Sequence, residues 1–110
     1  MKRITLVLAF VLLLSACGQS NEERAKELVA QACALEGSNG VVNTDAEPLI
    51  RQAVELDEKY RAYLIGWMKW EGGNRERKLY YNYDADLYEK AVRDFDEGVL
   101  VVRSFCDWWS

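Results

Sequence analysis

The sequence predicts an all-α protein: a small three-helix up-down-up bundle with one disulfide, preceded by a cleaved signal peptide. Three observations predict it. Apolar residues recur at helical spacing in three separate stretches. Glycine-containing segments separate those stretches and read as turns. Cys33 and Cys106 fall near the ends of the first and third stretches, where an up-down-up path brings two helix ends together.

The N-terminus is set apart from the rest. Met1-Lys2-Arg3 is a short basic start, and Ile4 to Leu14 is apolar apart from Thr5. Ser15-Ala16-Cys17 then supplies small residues. A basic region, an apolar stretch of about 7–15 residues and a small-residue site make a secretory signal. A membrane-spanning helix needs about 20 apolar residues, so this run is short for the competing reading of an uncleaved anchor helix. The predicted division is residues 1–16 as signal peptide and residues 17–110 as the mature domain.

Leu14-Ser15-Ala16-Cys17 resembles the lipobox of bacterial lipoproteins: an aliphatic residue, two small residues and an invariant cysteine. The resemblance covers residues 1–17 only. It implies that the Cys17 thiol receives a diacylglyceryl group, that a dedicated peptidase cuts before it, and that the freed amine is often acylated as well, palmitate being such a chain. Cysteine suits the step because its thiolate is a good nucleophile. Two or three acyl chains hold a protein firmly at a bilayer, where one holds it marginally. Gly18 follows the cysteine; in enteric-type Gram-negative bacteria an Asp there resembles an inner-membrane retention signal. In a Gram-negative host its absence implies the outer membrane, facing the periplasm; a Gram-positive host has no such membrane.

Loss of residues 1–16 removes Lys2 and Arg3, so the formal charge moves from −4 to −6. An acidic domain of this kind lacks the basic footprint that nucleic acid requires. Cys33 and Cys106 remain as an even pair in an exported chain, which favours a disulfide over two free buried thiols. A metal site on that pair is disfavoured, because the chain has no His and only three Cys in all.

The first helix is expected over about Asn21 to Glu36. Ser20 stands three residues before Glu23, a capping-box spacing, and Ala25, Leu28, Val29, Ala32 and Cys33 share one face. Asp45 is the expected cap of the second helix, with Pro48 in its first turn. Leu49, Ala53, Leu56, Tyr60, Tyr63, Trp67 and Trp70 then alternate in steps of four and three, widened by Ile50, Val54 and Leu64. Gly72-Gly73 is the expected end. Residues 74–84 read equally as helix or as turn. Leu87, Ala91, Phe95, Val99, Val102 and Cys106 mark a third helix starting near Asp84, weakened at Gly98. A strand over Val99–Val102 is the competing reading, without an evident partner strand.

Signals for catalysis are sparse. No His is available as base or ligand. None of Ser20, Ser38, Ser104 and Ser110 lies in a nucleophile elbow. Gly37-Ser38-Asn39-Gly40 lacks the Lys of a phosphate loop. Asp84, Asp86, Asp94, Asp96 and Glu97 read as a solvated helix face, and Asp84–Asp86 lacks the spacing of a calcium loop. The expectation is a non-enzymatic protein without cofactor or metal.

The aromatic residues carry the functional expectation. Tyr60, Tyr63 and Trp67 lie on the heptad stripe and belong to the core. Trp70, Tyr81, Trp108 and Trp109 are the candidates for an exposed interaction patch, since ring faces with polar tips suit interfaces. The expected role is an accessory or interaction protein of the cell envelope, bound to the membrane by its lipid and to an envelope protein by this patch. The alternative is a module that binds cell-wall glycan or a small apolar molecule between its helices.

Overall fold

The computed structural model describes residues 19–36 and 42–106. These form four α-helices and one 3-10 turn, with no strand among the described residues: α1 Asn21–Glu36, α2 Ala46–Leu56, the turn Glu58–Tyr60, α3 Arg61–Tyr80 and α4 Ala85–Phe105. The all-helical class is as expected. The count differs, because the long second helix is divided in two at Asp57. That residue is extended (φ −151°, ψ 109°) and its carboxylate accepts from the Lys59 amide at 3.2 Å. The local side-chain bond competes with helix continuation and wins there.

The caps follow local chemistry. Ser20 Oγ accepts from the Glu23 amide at 3.1 Å, as the capping-box spacing predicts. Asp84 Oδ1 accepts from the Leu87 amide at 3.0 Å and starts α4. Asp45 makes no side-chain cap; instead Asn43 Oδ1 accepts from the Asp45 amide at 2.9 Å and shapes the entry to α2.

The other boundary that differs is Gly72-Gly73. α3 runs through both glycines to Tyr80, so most of the ambiguous segment is helix and residues 81–83 form the turn. The physical reason lies across the helix pair. A Cβ on Gly73 would stand 2.5 Å from the Phe95 amide nitrogen and 2.7 Å from the Ala91 carbonyl oxygen. One on Gly98 would stand 2.6 Å from the Gly66 carbonyl oxygen and from Trp70 Cα, and one on Gly66 would fall on the Val101 side chain. Gly66 and Gly73 on α3, and Ala91 and Gly98 on α4, are each spaced by seven and let the two backbones touch. Residues 99–102 are helical, which removes the strand reading.

α3 packs most closely against α4, and α1 against α2. The heptad stripe is buried or half-buried throughout in spite of the break at Asp57. Trp70, Tyr63, Ile50 and Val102 are the largest fully enclosed apolar side chains. α1 reaches the second pair through Cys33, which lies at disulfide distance from Cys106, Cα to Cα 5.6 Å. No helix among the described residues is long and apolar enough to cross a membrane.

Candidate functional site

Two groups of side chains stand out: a buried polar cluster around the cysteine pair, and an exposed aromatic tip where α3 turns into α4.

The buried cluster begins with Tyr63, whose hydroxyl lies 3.5 Å from Cys106 Sγ and 3.6 Å from Cys33 Sγ. Its ring stacks on Phe105 at 5.1 Å between centroids, 14° from parallel. Burial, and next the Glu36 carboxylate, push the Tyr63 hydroxyl well above its ordinary value, so it stays protonated. Glu36 is 1 % exposed. Its Oε1 accepts from Trp67 Nε1 at 2.7 Å and its Oε2 from the Asn43 amide at 3.0 Å. The carboxylate thus ties the end of α1 to α3 and to the segment entering α2. Sequence reasoning missed it. The signal was present, since Glu36 follows Val29 by seven and Ala32 by four and so shares the buried face of α1.

Burial raises the Glu36 pKa above its ordinary 4.5, and the bonds from Trp67 and Asn43 offset part of that rise. A raised carboxyl pKa means that the folded chain holds its proton more tightly than the unfolded chain does. Its favourable term is complete below the unfolded value and is lost as pH rises through the folded one. Melting temperature is therefore expected to fall as pH climbs from about 4.5 through the raised value. Glu36→Gln is expected to flatten that part of the profile. Melts followed by circular dichroism in pH steps check it, and an identical slope in both proteins refutes it.

The aromatic tip is built by a tight turn. The Tyr83 and Asp84 amides donate to the Tyr80 carbonyl at 2.9 and 3.1 Å. Asn82 takes the left-handed conformation (φ 61°), which its short polar side chain tolerates better than most. Tyr80 faces Tyr83 at 6.5 Å and Tyr81 meets Tyr88 edge-on at 5.7 Å. Tyr81 is 63 % exposed, Tyr83 82 % and Leu79 65 %. Lys78, Asp86 and Glu89 are exposed around them.

The sequence-predicted patch is thus divided. Trp70 is fully buried against α4 and does not belong to a surface; it lies on the stripe whose other members fill the core. Tyr81 is exposed as expected. Trp108 and Trp109 lie outside the described residues, as does Cys17. Tyr83 and Leu79 join the tip in place of Trp70. The remaining concavities open at the surface. One, of about 530 Å³, lies beside the cysteine pair and is lined by Val29, Ala30, Ala34 and Phe105 among others. No group of three acidic or cysteine side chains is placed to hold a metal among the described residues. Comparison with protein-family models, curated proteins and solved structures gives no match to this chain.

Proposed function

We propose that the chain is a lipid-anchored protein of the bacterial cell envelope that acts without catalysis, as an interaction or accessory factor for another envelope protein. The signal peptide would span residues 1–16 and the lipid would sit on Cys17; in a Gram-negative host the mature domain would face the periplasm from the outer membrane. The observation that carries the interaction reading is the tip at residues 79–83. Tyr81 and Tyr83 stay largely exposed although the core has absorbed Tyr60, Tyr63, Trp67 and Trp70. Clustered tyrosines on a rigid turn offer contact area at low entropic cost, and a charged surround suits a protein interface.

The ligand-binding alternative rests on the hollow beside the cysteine pair, whose volume falls within the range of small-molecule sites. It lies at the junction of α1 and α4 and not between the long helices.

The experiment is crosslinking of the lipidated protein in its native envelope, wild type beside Tyr81→Ala/Tyr83→Ala. Wild type is expected to capture a protein partner that the variant loses. Binding to purified peptidoglycan without protein capture would overturn the reading. In the same cells, Cys17→Ser should leave an uncleaved, unlipidated precursor, seen as a larger species on a gel. A mature protein of unchanged membrane affinity would refute the anchor.

A further inference from the structure

Three apolar side chains of α3 point away from the core. Ile65 is 51 % exposed, Met68 46 % and Leu79 65 %. With Gly72 between them they are spaced three, four and seven apart, which places them on one stripe. The stripe lies opposite the face formed by Tyr63, Trp67 and Trp70, and no other described element covers it.

Gly72 sets this stripe apart from the rest of the helix. A glycine in a helix interior is destabilising relative to alanine. Gly66, Gly73 and Gly98 have a reason in the close approach of α3 and α4. Gly72 has none among the described residues: an added Cβ would meet only Arg75 Nη2 there, at 3.9 Å. Over Gly72 and Gly73 lies a hollow of about 400 Å³, bordered by Ile65, Met68, Lys90 and Asp94. A missing side chain on an uncovered apolar helix face leaves room for a second backbone to come close.

We infer that this face of α3 packs on the same face of a second copy of the chain, antiparallel, with the two Gly72 residues at the crossing. The stripe is matched to itself about that point. Ile65 stands seven residues before Gly72 and Leu79 seven after, so each meets the other across the pair. On one flank Lys69, three before, comes opposite Glu76, four after; its half-exposed ammonium also pairs with Glu97 of its own α4 at 3.2 Å. On the other flank Met68, four before, lies along the aliphatic stem of Arg75, three after. Each ion pair and each apolar contact occurs twice, as a two-fold interface requires, and the antiparallel helix dipoles attract.

The placement of the other helices agrees with it. Tyr63 and Trp67 reach α1 on one side of α3, while Gly66 and Gly73 meet α4 on the other. A two-fold axis across α3 in the interface keeps these sides, so both α1–α2 pairs emerge together. Two tethers at Cys17, on the reading proposed above, would then reach one membrane.

The test uses the full chain purified in mild detergent; where Cys17 carries no lipid, Cys17→Ser is used for the crosslinking arms, so that the introduced cysteines are the reactive thiols. Sedimentation velocity is expected to give a dimer. Gly72→Cys should crosslink to itself with a short bis-maleimide. Ile65→Cys should crosslink to Leu79→Cys when the two are mixed, and neither to itself. Gly72→Trp should sediment as a monomer that still unfolds cooperatively, at a melting temperature that no longer depends on concentration, because the space at that Cβ is open and only the dimer is lost. A wild type that is monomeric at every concentration would overturn the inference. So would a dimer that survives Gly72→Trp, or Ile65→Cys copies crosslinked to each other. Leu79 belongs to both the stripe and the tip, but the sedimentation and Gly72 outcomes depend on neither Tyr81 and Tyr83 nor the lipid, so they separate this inference from the function proposed above.

Discussion

Reduction of the cysteine pair should lower unfolding stability by about 4 kcal/mol, an upper figure from loop-closure entropy. The loop is long, 73 residues separating Cys33 from Cys106. The bond also joins elements that little else holds together. α3 and α4 are bound to one another along their length, and α1 and α2 likewise, but α1 and α4 meet chiefly at this point. Cys33→Ser and Cys106→Ser should each reproduce the loss, since either removes the same bond, and reductant should add nothing to either variant. Urea titrations with and without reductant measure each of these quantities. A wild type whose midpoint does not move on reduction would show that the pair contributes no covalent constraint.

Gly98→Ala should destabilise by about 2–3 kcal/mol net and lower the melting temperature by roughly 10–20 °C. The added methyl would face the Trp70 amide nitrogen and Cα and the Gly66 carbonyl oxygen, the last two at 2.6 Å. All three are backbone atoms, so relief needs one helix to move away from the other. That movement would open the packing around Trp70, which is fully enclosed. The higher helix propensity of alanine returns up to about 1 kcal/mol, which the overpacking exceeds. A thermal melt decides the matter, and an unchanged midpoint would show that α3 and α4 are not in backbone contact at Gly98.

Much of the fold was legible because one physical signal dominates it. Apolar spacing placed α1 from Asn21 to Glu36, and it identified every buried member of the stripe from Leu49 to Trp70. It also placed the start of α4 at Asp84. The misreadings share a cause. Glycine pairs usually punctuate a chain, and Gly72-Gly73 was read in that way. Here Gly73 serves a helix contact whose partner, Phe95 with Ala91, lies some twenty residues on. The recurrence at sevens of Gly66 with Gly73 and of Ala91 with Gly98 was visible, but its meaning depends on two helices lying side by side. Asp57 was the opposite case, a single side-chain bond dividing a stripe that spacing alone joins.

The site was legible in part for the same reason. Composition gave an aromatic surplus, and the turn at Asn82 explains why Tyr81 and Tyr83 remain outside. Trp70 counts with the patch on ring chemistry alone although it lies on the apolar stripe; the contact that encloses it, with Gly98 of α4, comes from a part of the chain far along the sequence. Glu36 was invisible to a search for apolar positions, since it occupies one with a carboxyl group and is satisfied there by Trp67 and Asn43.

The Cys33–Cys106 link has a further consequence for the life of the protein under proteolysis. A single cut of the backbone anywhere between those residues leaves two fragments covalently joined. After a cut between α1 and the tip, the fragment that carries Tyr81 and Tyr83 would remain fastened to the one that carries α1. Release of the tip would need either two cuts, one on each side of it, or a cut together with a reductant.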